Sequence, residues 1–295
     1  MSSKSRAAAV SVASNAFLVV LKVAVGMLSG SVSVISEAIH SANDLLAAAV
    51  AFVSVRASDR APDEEHPYGH GKIEALSSAF EAGLILLAAV WIAVEAIRKI
   101  LGGARVERPG AGTAVMIVSV VVNTAVSRYL FRVAKREESL ALATDANHLA
   151  TDVYTSVGVA AGLAVVSMTG WQIVDPIAAI AVALLIAKIG VSLTLEAGEH
   201  LIDTALPEAD QAIIRSILHR DPRVVDVHRY RTRRSGSSRE IEAHITLDAA
   251  LSFREAHAIA QELERSVARA FTPPARVLLH PDPAPETGPG PGKSE

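Results

Sequence analysis

The chain has 295 residues, 51% of them hydrophobic and 20% charged, with a formal net charge of −3 and no cysteine. A charge so close to balance gives no argument for a nucleic-acid or strongly acidic partner. Without cysteine there are no disulfides and no thiolate metal sites, so any metal shell has to be built from His, Asp and Glu.

The apolar residues are unevenly spread. Residues 7–200 are rich in Ala, Val, Leu and Ile, whereas residues 205–295 are dense in charge and Pro. Met1–Arg6 leads into a long apolar stretch with no cleavage site, so no cleavable leader is expected. Six stretches, about 7–29, 33–56, 74–97, 112–133, 142–167 and 173–195, reach the roughly 20 residues that cross a bilayer as helix. Gly30-Ser31, the polar run Arg56–Lys72, Gly102-Gly103 with Pro109-Gly110, Lys135–Glu138, and Thr169–Trp171 with Asp175-Pro176 separate them.

Lys and Arg set the expected orientation. Lys4, Arg6, Arg56, Arg60, Lys72, Arg128, Arg132, Lys135 and Arg136 fall at one end of the spans. The first and second spans, and the fifth and sixth, are joined without a Lys or Arg. This puts both termini in the cytoplasm of a multi-pass inner (plasma) membrane protein. Arg98, Lys99, Arg105 and Arg108 in the connection between spans three and four dissent from the majority.

After Leu206-Pro207 the pattern becomes that of a small soluble domain. Residues 208–220 read as a helix, with Ala212, Ile213, Ile217 and Leu218 at helical spacing. Residues 224–233 read as a strand with Val225 and Val227 on one face and Asp226, His228 and Tyr230 on the other. Ser235–Ser238 is a turn. Residues 239–248 form a second strand with Ile241, Ile245 and Leu247 inward. Residues 254–270 are an amphipathic helix with Ala256, Ile259, Leu263 and Val267 inward, and Val277–His280 is a last short strand.

The predicted architecture is therefore an all-α six-helix transmembrane domain, 1–206, followed by a small α+β domain, 207–283. The second domain has the order α-β-β-α-β of a ferredoxin-like or metallochaperone-like fold. A Pro/Gly-rich tail, 284–295, is expected to lack order.

The most informative residues lie inside the spans. Glu37-Ala38-Ile39-His40-Ser41-Ala42-Asn43-Asp44 in the second and Asp145-Ala146-Asn147-His148-Leu149-Ala150-Thr151-Asp152 in the fifth share one pattern: an acid, then Ala, His, Ala and Asp at fixed offsets. Each is in the middle helix of a three-helix half, which suggests a 3+3 repeat of inverted topology with its site between the halves. Four residues at 3.6 per turn put His and Asp on one helix face, one turn apart. An ionised Asp in a span costs roughly 2.5–3.5 kcal/mol on the insertion scale. Two such residues need an offset, and an N₂O₂ shell around one dication supplies it, a shell that zinc accepts.

The alternative is that the His and Asp residues pair with each other as helix–helix glue. Glu37 and Asp145, one turn before each His, are vestibule groups or simply solvated helix ends. Lys22 and Glu95 can snorkel. Asn15, Glu81 and Asn123 also fall in or near spans, and the sequence gives no account of Glu81.

The paired His-x-x-x-Asp motifs, His66-Pro67-Tyr68-Gly69-His70-Gly71-Lys72, Asp203-Thr204-Ala205-Leu206-Pro207 and the α-β-β-α-β tail together resemble the cation diffusion facilitators, six-span metal/proton antiporters with a cytoplasmic metal-binding domain. The resemblance covers about residues 7–283. It implies a transport site of His40, Asp44, His148 and Asp152. It also implies a loop metal site of Asp63, His66 and His70, which read without the family is equally a solvated loop. A binuclear site of His228, His244, His257, His280 and Asp282 is implied in the soluble domain, together with a structural charge pair of Lys72 and Asp203. The span 4–5 connection departs from relatives that carry a His-rich insertion there.

The implied activity is efflux of a divalent transition metal coupled to proton antiport, in a homodimer within the lipid bilayer and with no nucleic-acid partner. Zn²⁺ is both cargo and structural ion in this reading. Two imidazoles favour borderline cations over Mn²⁺, Mg²⁺ or Ca²⁺, with Co²⁺, Cd²⁺, Ni²⁺ and Fe²⁺ as competitors. A membrane metal sensor without flux and a facilitator without proton coupling are the alternatives. No nucleophile elbow, phosphate loop or HExxH motif points to an enzyme.

Overall fold

The computed structural model describes residues 1–29, 32–102, 112–171 and 173–285. The Gly30-Ser31 boundary, Gly103, Arg105, Arg108, Pro109-Gly110 and the tail from residue 286 lie outside them.

The chain divides into two compact units, Met1–Leu201 and Ile202–Glu295. The first holds six helices: α1 (Ser3–Ser29), α2 (Val32–Ser58), α3 (Lys72–Gly102), α4 (Gly112–Glu137), α5 (Leu140–Thr169) and α6 (Val174–Leu201). All six are long and apolar enough to cross a membrane. Each runs a turn or so beyond the apolar stretch that predicts it, because polar residues at the ends continue the backbone hydrogen bonding. α5 has defined ends. Ser139 caps it by accepting from the Leu142 amide, and Gly170 closes it in the left-handed region (φ 75°), donating to the Val166 carbonyl.

α1 packs on α2 as α4 packs on α5, and α3 packs on α6. A repeat of three helices gives this pairing. Lipid supplies no hydrophobic drive between helices, so close approach through small residues matters. The buried contacts of this unit are accordingly rich in alanine, among them Ala7, Ala8, Ala47, Ala48, Ala51, Ala82 and Ala146. Gly190 on α6 lies against Ile85 and Leu86 of α3, where a Cβ would sit 2.8 Å from Leu86.

The second unit contains α7 (Glu208–Arg220), β1 (Val224–Ser235), β2 (Ser238–Leu247), α8 (Phe253–Arg269) and β3 (Arg276–Pro283). The sheet order is β1-β2-β3, with β1 antiparallel and β3 parallel to β2. Ser252 and Glu255 form a capping box at the start of α8. Ile214 and Leu218 of α7, Ile241, Ile245 and Leu247 of β2, and Ile259, Leu263 and Val267 of α8 form the core.

Two expectations about faces fail here. On α7, Leu218 is buried and Ile217 packs on the core as expected, but Ile214 is buried in place of the exposed Ala212 and Ile213. On β1, Val225 is exposed while Val227 and Tyr230 both pack on the core. The pairing shifts register between Val224 and Asp226 and again between His228 and Arg231, with Arg229 at φ 48°. Each bulge inserts a residue and breaks the alternation of period two that the reading assumed.

Candidate metal centres

α2 and α5 pack against each other, and each contributes one imidazole and one carboxylate from a single face. His40 Nε2 lies 4.0 Å from Asp44 Oδ1 of its own helix and 4.0 Å from Asp152 Oδ1 of α5. His148 Nε2 lies 3.3 Å from Asp44 Oδ1. The ligand atoms of His40, Asp44 and Asp152 all fall within 4.8 Å of one another, and His148 joins them through Asp44. All four groups named from the sequence are thus brought together. The site is unequally enclosed: Asp44 and His148 side chains are 7% and 11% exposed, Asp152 20% and His40 54%. His148 Nδ1 and Asp152 Oδ2 are buried without a hydrogen-bond partner among the described residues. This is an N₂O₂ donor set with two negative charges, and it can neutralise one dication.

Lys22 on α1 reaches inward instead of snorkelling. Its Nζ donates to Ser41 Oγ at 2.8 Å and pairs with Glu37 at 3.2 Å. Asp145 is 1% exposed, which rules out the solvated helix end offered as one alternative. Two of the four dissenting cations are neutralised locally: Lys99 lies 3.5 Å from Asp175 and Arg98 3.9 Å from Glu95.

In the connection between α2 and α3, Asp63, His66 and His70 converge. The His66 amide donates to Asp63 Oδ1 at 2.7 Å and the Asp63 amide donates to the His66 carbonyl. Gly69 makes the turn at φ 85°. His66 Nδ1 and His70 Nε2 each lie 3.4 Å from Asp63, one on each oxygen. The His66 amide, followed by the charges of His70 and His66, holds the Asp63 carboxyl below its ordinary range. A reciprocally bonded loop with His70 buried inside it is more organised than a solvated acidic run.

In the second unit, His228 of β1 pairs with His244 of β2, and His244 pairs with His280 of β3. Three imidazoles therefore lie in one row across the sheet. Asp282 binds all three: its Oδ2 accepts from His244 Nδ1 at 2.8 Å and lies 3.2 Å from His228 Nε2, and its Oδ1 lies 3.3 Å from His280 Nε2. The His244 hydrogen bond, then the charges of His244, His280 and His228, hold the Asp282 carboxyl below its usual range. These donors suit a borderline dication. His257 is exposed on α8 and stacks on Phe253 with ring centroids 6.1 Å apart.

The predicted charge pair falls at the ends of two helices. Lys72, opening α3, donates to the Leu201 carbonyl that closes α6 at 3.3 Å. Asp203, at φ 61°, accepts from Arg233 at 3.1 Å.

One cluster was missed entirely. Lys4 Nζ lies 2.8 Å from Asp59 and 2.9 Å from Glu74. Glu74, fully buried, also accepts from Ser58 at 2.8 Å and from the α5 cap Ser139 at 2.6 Å. Charges at helix ends default to water in a sequence reading. Only the convergence of four helix termini shows that these are enclosed.

The family model for the cation efflux transmembrane domain matches residues 8–202, and that for the cation efflux protein cytoplasmic domain matches residues 206–284. The chain belongs to the cation efflux, or cation diffusion facilitator, family. An uncharacterized transporter of Synechocystis sp., sll1263, is 34% identical over 89% of this chain and 85% of its own. The cation-efflux pump FieF of Escherichia fergusonii is 30% identical, and that of Salmonella schwarzengrund 29%, each over 95% of this chain and 92% of its own. This cation efflux protein is thus a multi-pass membrane transporter of cations. Its six apolar helices form the transmembrane domain, and its three-stranded unit is the family's cytoplasmic domain.

Proposed function

We propose that the chain exports a divalent transition metal, zinc foremost, from the cytoplasm in exchange for protons by alternating access. The observation that carries this reading is the meeting of His40, Asp44, His148 and Asp152 between α2 and α5. Two carboxylates balance the charge of the cargo. Two imidazoles prefer zinc, cobalt or cadmium to hard cations. An imidazole must be neutral to ligate, so loading and proton binding compete at the same nitrogens. An Asp/His shell with no thiolate binds firmly enough to load and weakly enough to release.

In this reading both termini face the cytoplasm. The Asp63, His66 and His70 loop is a second, weaker metal site. His228, His244, His280 and Asp282 hold structural zinc that supports a homodimer, which the dimerising character of the family's cytoplasmic domain favours.

Zinc uptake into proteoliposomes under an imposed pH gradient, wild type against Asp152→Ala, is the test. A pH gradient that fails to drive uphill zinc movement in wild type removes the antiport. Equal rates in the two proteins remove the site.

A further inference from the structure

One charge inside the spans stands next to the metal centre without belonging to it. Lys22 falls in the second half of α1, and its side chain is 6% exposed. Its Nζ donates to Ser41 Oγ at 2.8 Å and to Glu37 Oε2 at 3.2 Å, both on α2. Ser41 is buried, whereas the Glu37 side chain is 46% exposed. Gly26, one turn further along α1, lets the two helices close in: a Cβ there would stand 2.9 Å from Ile35 of α2. The ammonium is therefore fixed in a narrow seam, with one wall dry and the other half open.

α2 places that ammonium beside the ligands. Glu37, His40, Ser41 and Asp44 stand at positions i, i+3, i+4 and i+7, the spacing of one helix face. Ser41 follows His40 in the chain and precedes Asp44 by about one turn. The charge of Lys22 also reaches Asp152 of α5. An apolar contact would join α1 to α2 at less cost, because an ionised lysine inside a span is expensive and a half-open carboxylate offsets only part of that. In the orientation proposed above, Glu37 lies on the extracytoplasmic side of His40. The ammonium then stands on the side from which cargo leaves.

We propose that Lys22 sets the affinity of the metal centre: its fixed positive charge, about one turn from the ligands on the exit side, opposes the dication and keeps its binding reversible. Inside a protein, charges act on each other more strongly than in water. The ammonium stabilises the empty centre, where it faces two carboxylates, and destabilises the loaded one. Glu37 has the opposite part, since its carboxylate screens the ammonium. Lys22 thus acts on the cargo through its field and not as a ligand. This role rests on the metal-centre reading above.

Zinc titration of the full chain in nanodiscs tests it, in a background of Asp63→Ala and Asp282→Ala that disables the loop and sheet groups. Lys22→Met is expected to bind zinc tighter by about tenfold or more, a modest share of the repulsion between charges at such range. Lys22→Arg, which keeps the charge, restores the parent affinity. Glu37→Gln, which leaves the ammonium unscreened, binds zinc more weakly. In liposomes Lys22→Met lowers KM and kcat together, because release slows. Opposite signs for the two partners of one ion pair separate a field from a brace, since loss of a brace disturbs the centre the same way from either side. Unchanged or weaker zinc binding in Lys22→Met overturns the proposal. If that variant does not fold, Glu37→Gln carries the test alone, and unchanged or tighter binding there overturns it equally. Asp152→Ala in the same background keeps the two readings apart. Undiminished zinc binding there removes the metal centre and this role with it. Binding that is lost there but unmoved by Lys22→Met removes the role of Lys22 only.

Discussion

His148 of α5 approaches Asp44 of α2 at 3.3 Å, while Asp152, its neighbour on the same helix face, stands 4.0 Å from His40 of α2. The two imidazole–carboxylate couples are therefore crossed. Each histidine meets an aspartate of the opposite helix, and a cation entering between them takes ligands from both helices at once.

Loss of any one of the four groups should then weaken zinc more than loss of a supporting residue, for which about 10–100-fold is typical. Asp44→Ala is expected to lower zinc affinity at the transport site by about 100-fold or more and to abolish gradient-driven flux. Calorimetric titration and liposome uptake measure the two effects. Flux at the wild-type rate would mean that the crossed couples are helix glue.

The enclosed cation at the start of α1 gives a stability prediction. The Lys4 side chain is 9% exposed and Glu74 not at all. Removing one partner of such a pair strands the other and costs about 3–5 kcal/mol. Lys4→Met should lower the thermal midpoint in nanodiscs markedly. Glu74→Gln should do less harm, because Lys4 keeps Asp59 at 2.8 Å, and of the Ser58 and Ser139 hydroxyls one still meets an oxygen while the other can accept from the new amide. Equal melting of Lys4→Met and wild type would show that the cluster contributes nothing.

A pH dependence follows from Asp282. Its carboxyl is held below the ordinary range, first by the His244 hydrogen bond. A group whose folded value is depressed stabilises the fold above its unfolded value, about 3.9 for Asp, and loses that contribution as pH falls through the lower folded value. The metal-free cytoplasmic unit should thus keep this contribution at neutral pH and lose it only below the usual carboxylate range. Thermal unfolding of Asp282→Asn should lack that acid step. Zinc binding to the same unit should weaken as pH falls, because an imidazole has to be neutral to ligate. Proton release on zinc addition is the accompanying measurement.

Gly190 tests the α3–α6 contact. A Cβ there would stand 2.8 Å from Leu86 and 3.3 Å from Ile85. Overpacking of this kind costs about 1–3 kcal/mol. Gly190→Ala should reduce thermal stability by an amount in that range, and Leu86→Ala should restore part of it. No recovery in the double variant would place the strain elsewhere.

The elements with a strong period were legible without coordinates. The six spans, α7, β2 and α8 follow from apolar runs and helical or alternating spacing. The convergence of His40, Asp44, His148 and Asp152 was legible too, because two matched motifs fix which helix face carries each side chain. The outer features were not. The bulges of β1 are set by its pairing with β2, so Val225 turned outward against a simple alternation. Lys4, Asp59 and Glu74 are far apart in sequence and look like ordinary end-of-helix charges. Glu81 carried no motif at all.

The row of His228, His244 and His280 crosses all three strands at right angles to the chain. An ion held there would act as a clasp on β3, an edge strand that follows α8 and, among the described residues, pairs only with β2. Starved of metal, the domain would be free to loosen first at β3 while β1 and β2 stay joined as a hairpin. The same row that grips an ion would thereby report cytoplasmic metal supply as tightness of one sheet edge.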